Sequence, residues 1–267
     1  MDETRPIAVS PRHTVLLATE LLPLIEKPPR HDFVVSTRAS REANGLPLMT
    51  AELVIASYDT RQAFPAAVKY PFHFRKTYFP GRMHGDPEVE FQRQQRASEL
   101  TTIPPPIGFG PNVFRSCLIP GQSYMRLSPF GGEPIENNIS KAQKVPLASA
   151  AGLWRLAEEA LAQQQALQAG GLAHGDAELH NCIVCPAPLE AIWIDFEAGV
   201  LKDSVDDAAW EARCKLDLQP LLREAVYLQC VLGRQSSALG ELSWSRMDEL
   251  FRSPDRFRRA IETQAEL

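Results

Sequence analysis

No stretch of this sequence is both long and apolar enough to span a bilayer. The most apolar early run, Thr14 to Ile25, is interrupted by Glu20 and Pro23, so no integral membrane segment is expected. Cysteine is scarce and odd in number: the five, at 117, 182, 185, 214 and 230, do not form a disulfide framework and suit a reducing cytoplasm. Cys182-x-x-Cys185 has no second pair or histidine at ligand spacing. On a strand its two side chains face opposite sides, so strand core is expected there rather than zinc. Positive charge is not in surplus either. A formal net charge of −5 and a pI near 5.7 argue against a general nucleic-acid or anionic-membrane surface. Met1-Asp2-Glu3 lacks the basic run that opens a targeting signal, no period repeats, and low complexity is confined to Pro104–Pro106 and Gln163–Gln165. What is present is 267 residues with 44% hydrophobic content, enough to bury a substantial core in one or two domains.

The informative stretch is residues 170 to 200. His174-Gly175-Asp176 is followed by Asn181 and then by Asp195 in Ile194-Asp195-Phe196. Moving a γ-phosphoryl group requires positioning and the neutralisation of charge by Mg²⁺, so hard oxygen donors must reach one point. A short loop with Asp176 and Asn181 can set a carboxylate at the attacking hydroxyl and an amide oxygen on the metal. Asp195, at the end of the apolar run Ala191-Ile192-Trp193-Ile194, can hold the metal against the phosphates. Cys182–Cys185 and 191–194 are expected to form a hairpin turning at Pro186-Ala187-Pro188, which brings both acids to one end.

At these residues the chain resembles the protein-kinase-like superfamily, whose catalytic loop is H-x-D-x-x-x-x-N and whose metal motif is D-F-G. The His-Gly-Asp form is similar to the aminoglycoside and choline phosphotransferases, the RIO-type kinases and the lipopolysaccharide kinases. The resemblance implies an α+β, two-lobed kinase-like fold, with a small antiparallel-sheet lobe over 1–127, including an N-terminal appendage, and a mainly helical lobe over 128–267. It implies Asp176 as the base or orienting group for the acceptor hydroxyl, Asn181 and Asp195 on Mg²⁺, and ATP as phosphoryl donor. His174 is expected to brace the metal motif, and Asp217 resembles the buried aspartate that holds the catalytic-loop backbone. In the small lobe a lysine on a strand should grip the phosphates and pair with a glutamate on the next helix. Lys76 fits, on a strand where Phe72, Phe74, Lys76 and Tyr78 share a face, with Lys69 as the alternative. The helix starts with Asp86 as N-cap and Pro87 at its first position, and Glu90 is the partner, or else Glu88. The segment Tyr124 to Glu133 is similar to the strand-to-hinge segment that binds adenine through backbone groups near Met125 and Leu127.

Elsewhere a short helix is expected over 12–26, strands at Phe33–Val35 and Leu53–Ala56 around a polar loop from Ser36 to Gly45, and strands at Val113–Ile119 and Ser123–Leu127. Helices are expected over 146–169, ended by Gly170-Gly171, over Leu216–Leu232 and in the tail beyond Trp244. The sequence departs from the family pattern in three places: the flap position has Gly45 alone, Glu178 replaces a usual lysine, and Glu197 replaces the glycine of D-F-G. These departures favour another reading, a pseudokinase scaffold that binds a partner, and a kinase-fold transferase of AMP is a second alternative. The acceptor, whether small molecule, sugar of a glycolipid or protein, and the oligomeric state are left open by the sequence.

Overall fold

The computed structural model describes residues 3–80, 85–119, 122–123, 150–178, 181–186 and 189–218. The chain divides into two compact units, Met1–Pro120 and Gly121–Leu267. The lobe boundary expected at residue 127 lies outside the described residues, as do Met125 and Leu127, the helix expected past residue 218 and the tail from Trp244.

The first unit opens with a hairpin of β1 (Thr4–Ala8) and β2 (Thr14–Ala18), then a one-turn helix, α1 (Leu22–Glu26). The turn is closed by Ser10, whose Oγ accepts the N–H groups of Arg12 at 3.3 Å and His13 at 3.0 Å. The helix expected over 12–26 is therefore corrected: only its second half is helical, a 3-10 turn at Thr19–Leu21 running into α1. Val15 and Leu17 point inward while Leu16 between them is exposed, a period of two, and β1 supplies the backbone partners that make the extended form pay.

A five-stranded antiparallel sheet follows, in the order β3-β4-β5-β7-β6, from β3 (Phe33–Ala43), β4 (Leu46–Ile55), β5 (Phe72–Tyr78), β6 (Pro106–Gly110) and β7 (Val113–Cys117). The expected polar loop at 36–45 is instead most of β3. Asn44 (φ 53°) and Gly45 (φ 72°) form a two-residue turn closed by the Ala43–Leu46 pair. Between β4 and β5 the chain makes α2 (Tyr58–Ala63), capped by Ser57, and α3 (Ala66–Lys69). After β5 comes α4 (Pro87–Leu100), whose N-cap Asp86 accepts the N–H of Glu88 at 2.9 Å.

Register sorts the two faces of this sheet. Ile55 lies opposite Phe72 and Leu53 opposite Phe74. Ile55, Leu53 and Phe72 form a buried cluster with Val9, and Val15, Leu24 and Ile25 pack against it, so the N-terminal hairpin and α1 cover this end of the face. On the opposite face Ala67, Tyr70 and Phe64 from the α2–α3 segment join Ala56, Ile107 and Cys117.

The second unit contains β8 (Gln122–Ser123), α5 (Ala150–Ala169), β9 (Leu172–Ala173), β10 (Cys182–Pro186), β11 (Leu189–Trp193), β12 (Val200–Leu201) and a helix over 207–218, here α6. The expected hairpin forms as β10 against β11, and β8 pairs with β10. Gly171 (φ +80°) ends α5, and β9 then pairs with β12. Trp193, fully buried, donates its indole N–H to the Ala160 carbonyl at 3.2 Å and ties β11 to α5. The helix expected to begin at Leu216 begins at 207, where Asp206 caps it by accepting the N–H of Ala209 at 2.8 Å. That acidic start is a helix signal in the sequence, preceding the apolar run that set the later expectation. Among the described residues no helix is long and apolar enough to cross a membrane.

Candidate active site

In the first unit, alternation along β5 places Lys76 and Tyr78 on one face, toward α4. The Lys76 ammonium lies 3.3 Å from Glu90 Oε1, and both side chains are almost wholly buried. A buried ammonium and carboxylate each cost several kcal/mol of desolvation, roughly, so such a pair persists only with good geometry and further hydrogen bonds. Tyr78 supplies one: its hydroxyl donates to Glu90 Oε2, and its ring lies 5.1 Å from the Lys76 Nζ. Burial first, and then the adjacent Glu90, push the Tyr78 hydroxyl far above its ordinary range, so it stays a donor. Glu88, the alternative partner, is exposed and accepts from Gln92 at 3.4 Å. Lys69, the alternative lysine, ends α3 with its Nζ 5.4 Å from the Tyr70 ring centroid. Sequence reasoning put Tyr78 on the right face but gave it no role. The signal was a hydroxyl-bearing aromatic two residues after the lysine.

In the second unit, the loop after β9 carries His174, Gly175 and Asp176, and its backbone is held by Asp217. One carboxylate oxygen of Asp217 accepts the His174 N–H at 2.6 Å and the other the Gly175 N–H at 2.8 Å. Burial pushes this carboxyl up to about 6, against the lowering effect of the two backbone donors. His174 is fully buried between Trp193 and Phe196, with ring centroids 5.2 Å and 4.6 Å away. Its Nδ1 accepts the Asp176 N–H at 3.3 Å and its Nε2 donates to the Ile194 carbonyl at 2.9 Å, which fixes the tautomer. The imidazole thus spans from the Asp176 backbone to the residue before Asp195.

Asn181 makes the second link. Its Nδ2 donates to both the backbone carbonyl and the Oδ2 of Asp176, each at 2.9 Å, and its own carbonyl accepts the Ile194 N–H at 2.9 Å. With the amide nitrogen committed to Asp176, Oδ1 is the end of Asn181 left to serve a cation. Asp176 itself is exposed. Asp195 adopts a left-handed backbone (φ 65°, ψ 63°), a costly conformation for a residue with a Cβ, and starts the tight turn Phe196–Ala198.

Asp195, Asn181 and Asp176 are hard oxygen donors, which fits Mg²⁺ and not a soft metal. Among the described residues there is no group of three or more His, Cys, Asp or Glu side chains that could hold a metal. A magnesium ion that shares its shell with phosphates and waters needs no such cage.

No family model and no curated protein matches this sequence. Solved structures do. The chain is similar to a single-site variant of the PknI kinase domain of Mycobacterium tuberculosis at 15% identity and a TM-score of 0.52, covering 88% of this chain and 95% of that one. A double-site variant of the same domain gives 13%, 0.51, 88% and 96%. The Rio2 kinase of Chaetomium thermophilum, in its ADP/Mg²⁺-phosphoaspartate complex, gives 16%, a TM-score of 0.46, and coverage of 98% and 81%. This chain has the protein-kinase-like fold.

Proposed function

We propose that this protein is an ATP- and Mg²⁺-dependent phosphotransferase that acts on a hydroxyl group. The observation that carries the proposal is Asn181, whose amide binds the Asp176 carboxylate while its backbone accepts from the residue before Asp195. That one residue couples a solvent-facing carboxylate to a second carboxylate across a single loop, as transfer to a hydroxyl requires. In this reading Asp176 orients the acceptor hydroxyl and takes its proton late in transfer. Asn181 Oδ1 and Asp195 would hold Mg²⁺, which supplies charge neutralisation on the phosphates when bound. Lys76, kept in place by Glu90, binds the α- and β-phosphates, and the backbone near Met125 and Leu127 takes the adenine. The free cysteines Cys117, Cys182 and Cys214 suit a reducing, cytoplasmic setting.

The test is ATP consumption by wild type and Asp176→Asn. Loss of activity by about 10²–10⁴-fold with Mg²⁺-ATP binding retained is the expected result. Wild-type protein that binds Mg²⁺-ATP but never turns it over would instead be a pseudokinase scaffold. An acceptor that gains the mass of AMP in place of phosphate would make the protein an AMP-transferase.

A further inference from the structure

The turn after Asp195 is gripped from outside by a residue to which no role has been given so far. On α6, Arg213 stands one helical turn before Asp217. Its Nη2 donates to the Ala198 carbonyl at 3.1 Å. The same nitrogen lies 3.0 Å from where a Cβ on Gly175 would be, and that Cβ would overlap the Ala198 carbonyl itself. Gly175 is therefore in direct backbone contact with the end of the Phe196–Ala198 turn, and Arg213 closes the contact from the helix side. One face of α6 thus holds two segments at once, the loop bearing Asp176 through Asp217 and the turn following Asp195 through Arg213.

We propose that Arg213 is a positioning residue for the Asp195 carboxylate. Asp195 has a left-handed backbone that needs outside support. Ahead of it the chain is fixed by the Ile194 N–H to Asn181 bond and behind it by the pairing of Val200 with Ala173. Between these anchors Phe196 packs on His174, and the Ala198 carbonyl takes a bond from a charged donor that links the turn to α6. Charge-assisted hydrogen bonds to a backbone carbonyl are stronger and more directional than neutral ones. Without the guanidinium the turn can rotate about Asp195 and swing its carboxylate out of position. The inference rests on the reading of Asp195 as a metal ligand.

The experiment compares wild type, Arg213→Met and Arg213→Lys. Mg²⁺ is titrated calorimetrically into each protein saturated with ADP, and ADP into each in EDTA. Loss of one charged hydrogen bond predicts that Arg213→Met weakens Mg²⁺ binding about tenfold, with metal-free ADP affinity unchanged and most of the loss restored in Arg213→Lys. Equal Mg²⁺ affinity in Arg213→Met and wild type overturns the proposal, as does an equal loss of metal-free ADP binding, the mark of general damage. If wild type binds no Mg²⁺ with ADP, the phosphotransferase reading fails instead, and the clamp is judged by hydrogen exchange. Faster exchange of the Gly199 amide in Arg213→Met, with the β10–β11 hairpin unchanged, supports it. Unchanged exchange at Gly199 overturns it.

Discussion

One residue in the candidate site is fixed by its conformation and another by a hydrogen bond, and each gives a measurable expectation. Gly175 has φ +87° and lies against the Ala198 carbonyl, so Gly175→Ala meets both an unfavourable backbone region and a clash. The expected cost is about 2–4 kcal/mol in urea unfolding, and a variant as stable as wild type would show that the contact can relax. Tyr78→Phe keeps the ring beside the Lys76 ammonium but removes the donor to Glu90. A lost hydrogen bond to a buried charge predicts about 1.5–3 kcal/mol of destabilisation, with ATP affinity falling more than turnover. Unchanged stability and ATP affinity would remove Tyr78 from the site. The motif residues were legible because their chemistry dictates their type and spacing. Arg213 was not, because its contact with Ala198 is set by tertiary packing; Tyr78 was legible only as to its face, since its contacts with Glu90 and Lys76 are set by packing too.

At the scale of elements, the sheet face away from Lys76 carries a buried ionic layer. Asp32 accepts from Arg115 at 2.7 Å, Arg75 at 3.0 Å and Thr60 at 2.6 Å, Arg75 also pairs with Glu52, and Arg115 donates to His73 Nε2 at 3.0 Å. Two carboxylates face two guanidiniums, so the layer is balanced and reads as structure, joining β4, β5, β7 and α2. Burial alone would raise Asp32, but Arg115 and the hydrogen bonds outweigh it and hold the carboxyl well below the usual range. Burial, and then Arg115, lower His73 to about 4. Both folded-state values are depressed relative to the unfolded chain, so both contributions are present near neutrality. The His73 part is lost as pH falls from about 6.5 through about 4. His73→Gln, which can still accept from Arg115, should flatten the fall of the urea midpoint over that window. An unchanged slope would mean that His73 is not the group responsible. The elements themselves were unevenly readable. The N-cap and proline of α4 and the two apolar runs of the β10–β11 hairpin announced themselves. The strand β2 was mistaken for helix because a five-residue run such as Thr14–Ala18 is too short for periodicity to choose, and its partner β1 decides. Asn44-Gly45 is a hairpin signal in the sequence, masked by the polar composition of the residues before it.

For the whole molecule, Asp217 works against that acid sensitivity. Its folded-state value, raised to about 6, gives stability that is present below the unfolded value near 4 and lost as pH rises through about 6. The two effects oppose each other between about pH 4 and 6, so Asp217→Asn should steepen the acid loss of stability measured by urea titration at pH 4.5 and 7.5. An identical slope in variant and wild type would count against the raised value. If the phosphotransferase reading is right, Mg²⁺-ATP at 100 times its dissociation constant should add roughly 2.7 kcal/mol to the unfolding free energy, and ATP in EDTA less. Length left one or two domains open, and the two-lobed expectation came from the kinase resemblance. The helices that connect β4 to β5 were not foreseeable, since nothing in the short run Tyr58 to Lys69 distinguishes a surface loop from a cover. The N-terminal hairpin has a practical corollary for anyone trimming this protein to a minimal kinase-fold fragment. Val9 and Val15 roof over Leu53, Ile55 and Phe72, so a truncation that starts near the first long strand strips a greasy patch bare. Clumping of such a fragment during purification would then say nothing about its chemistry.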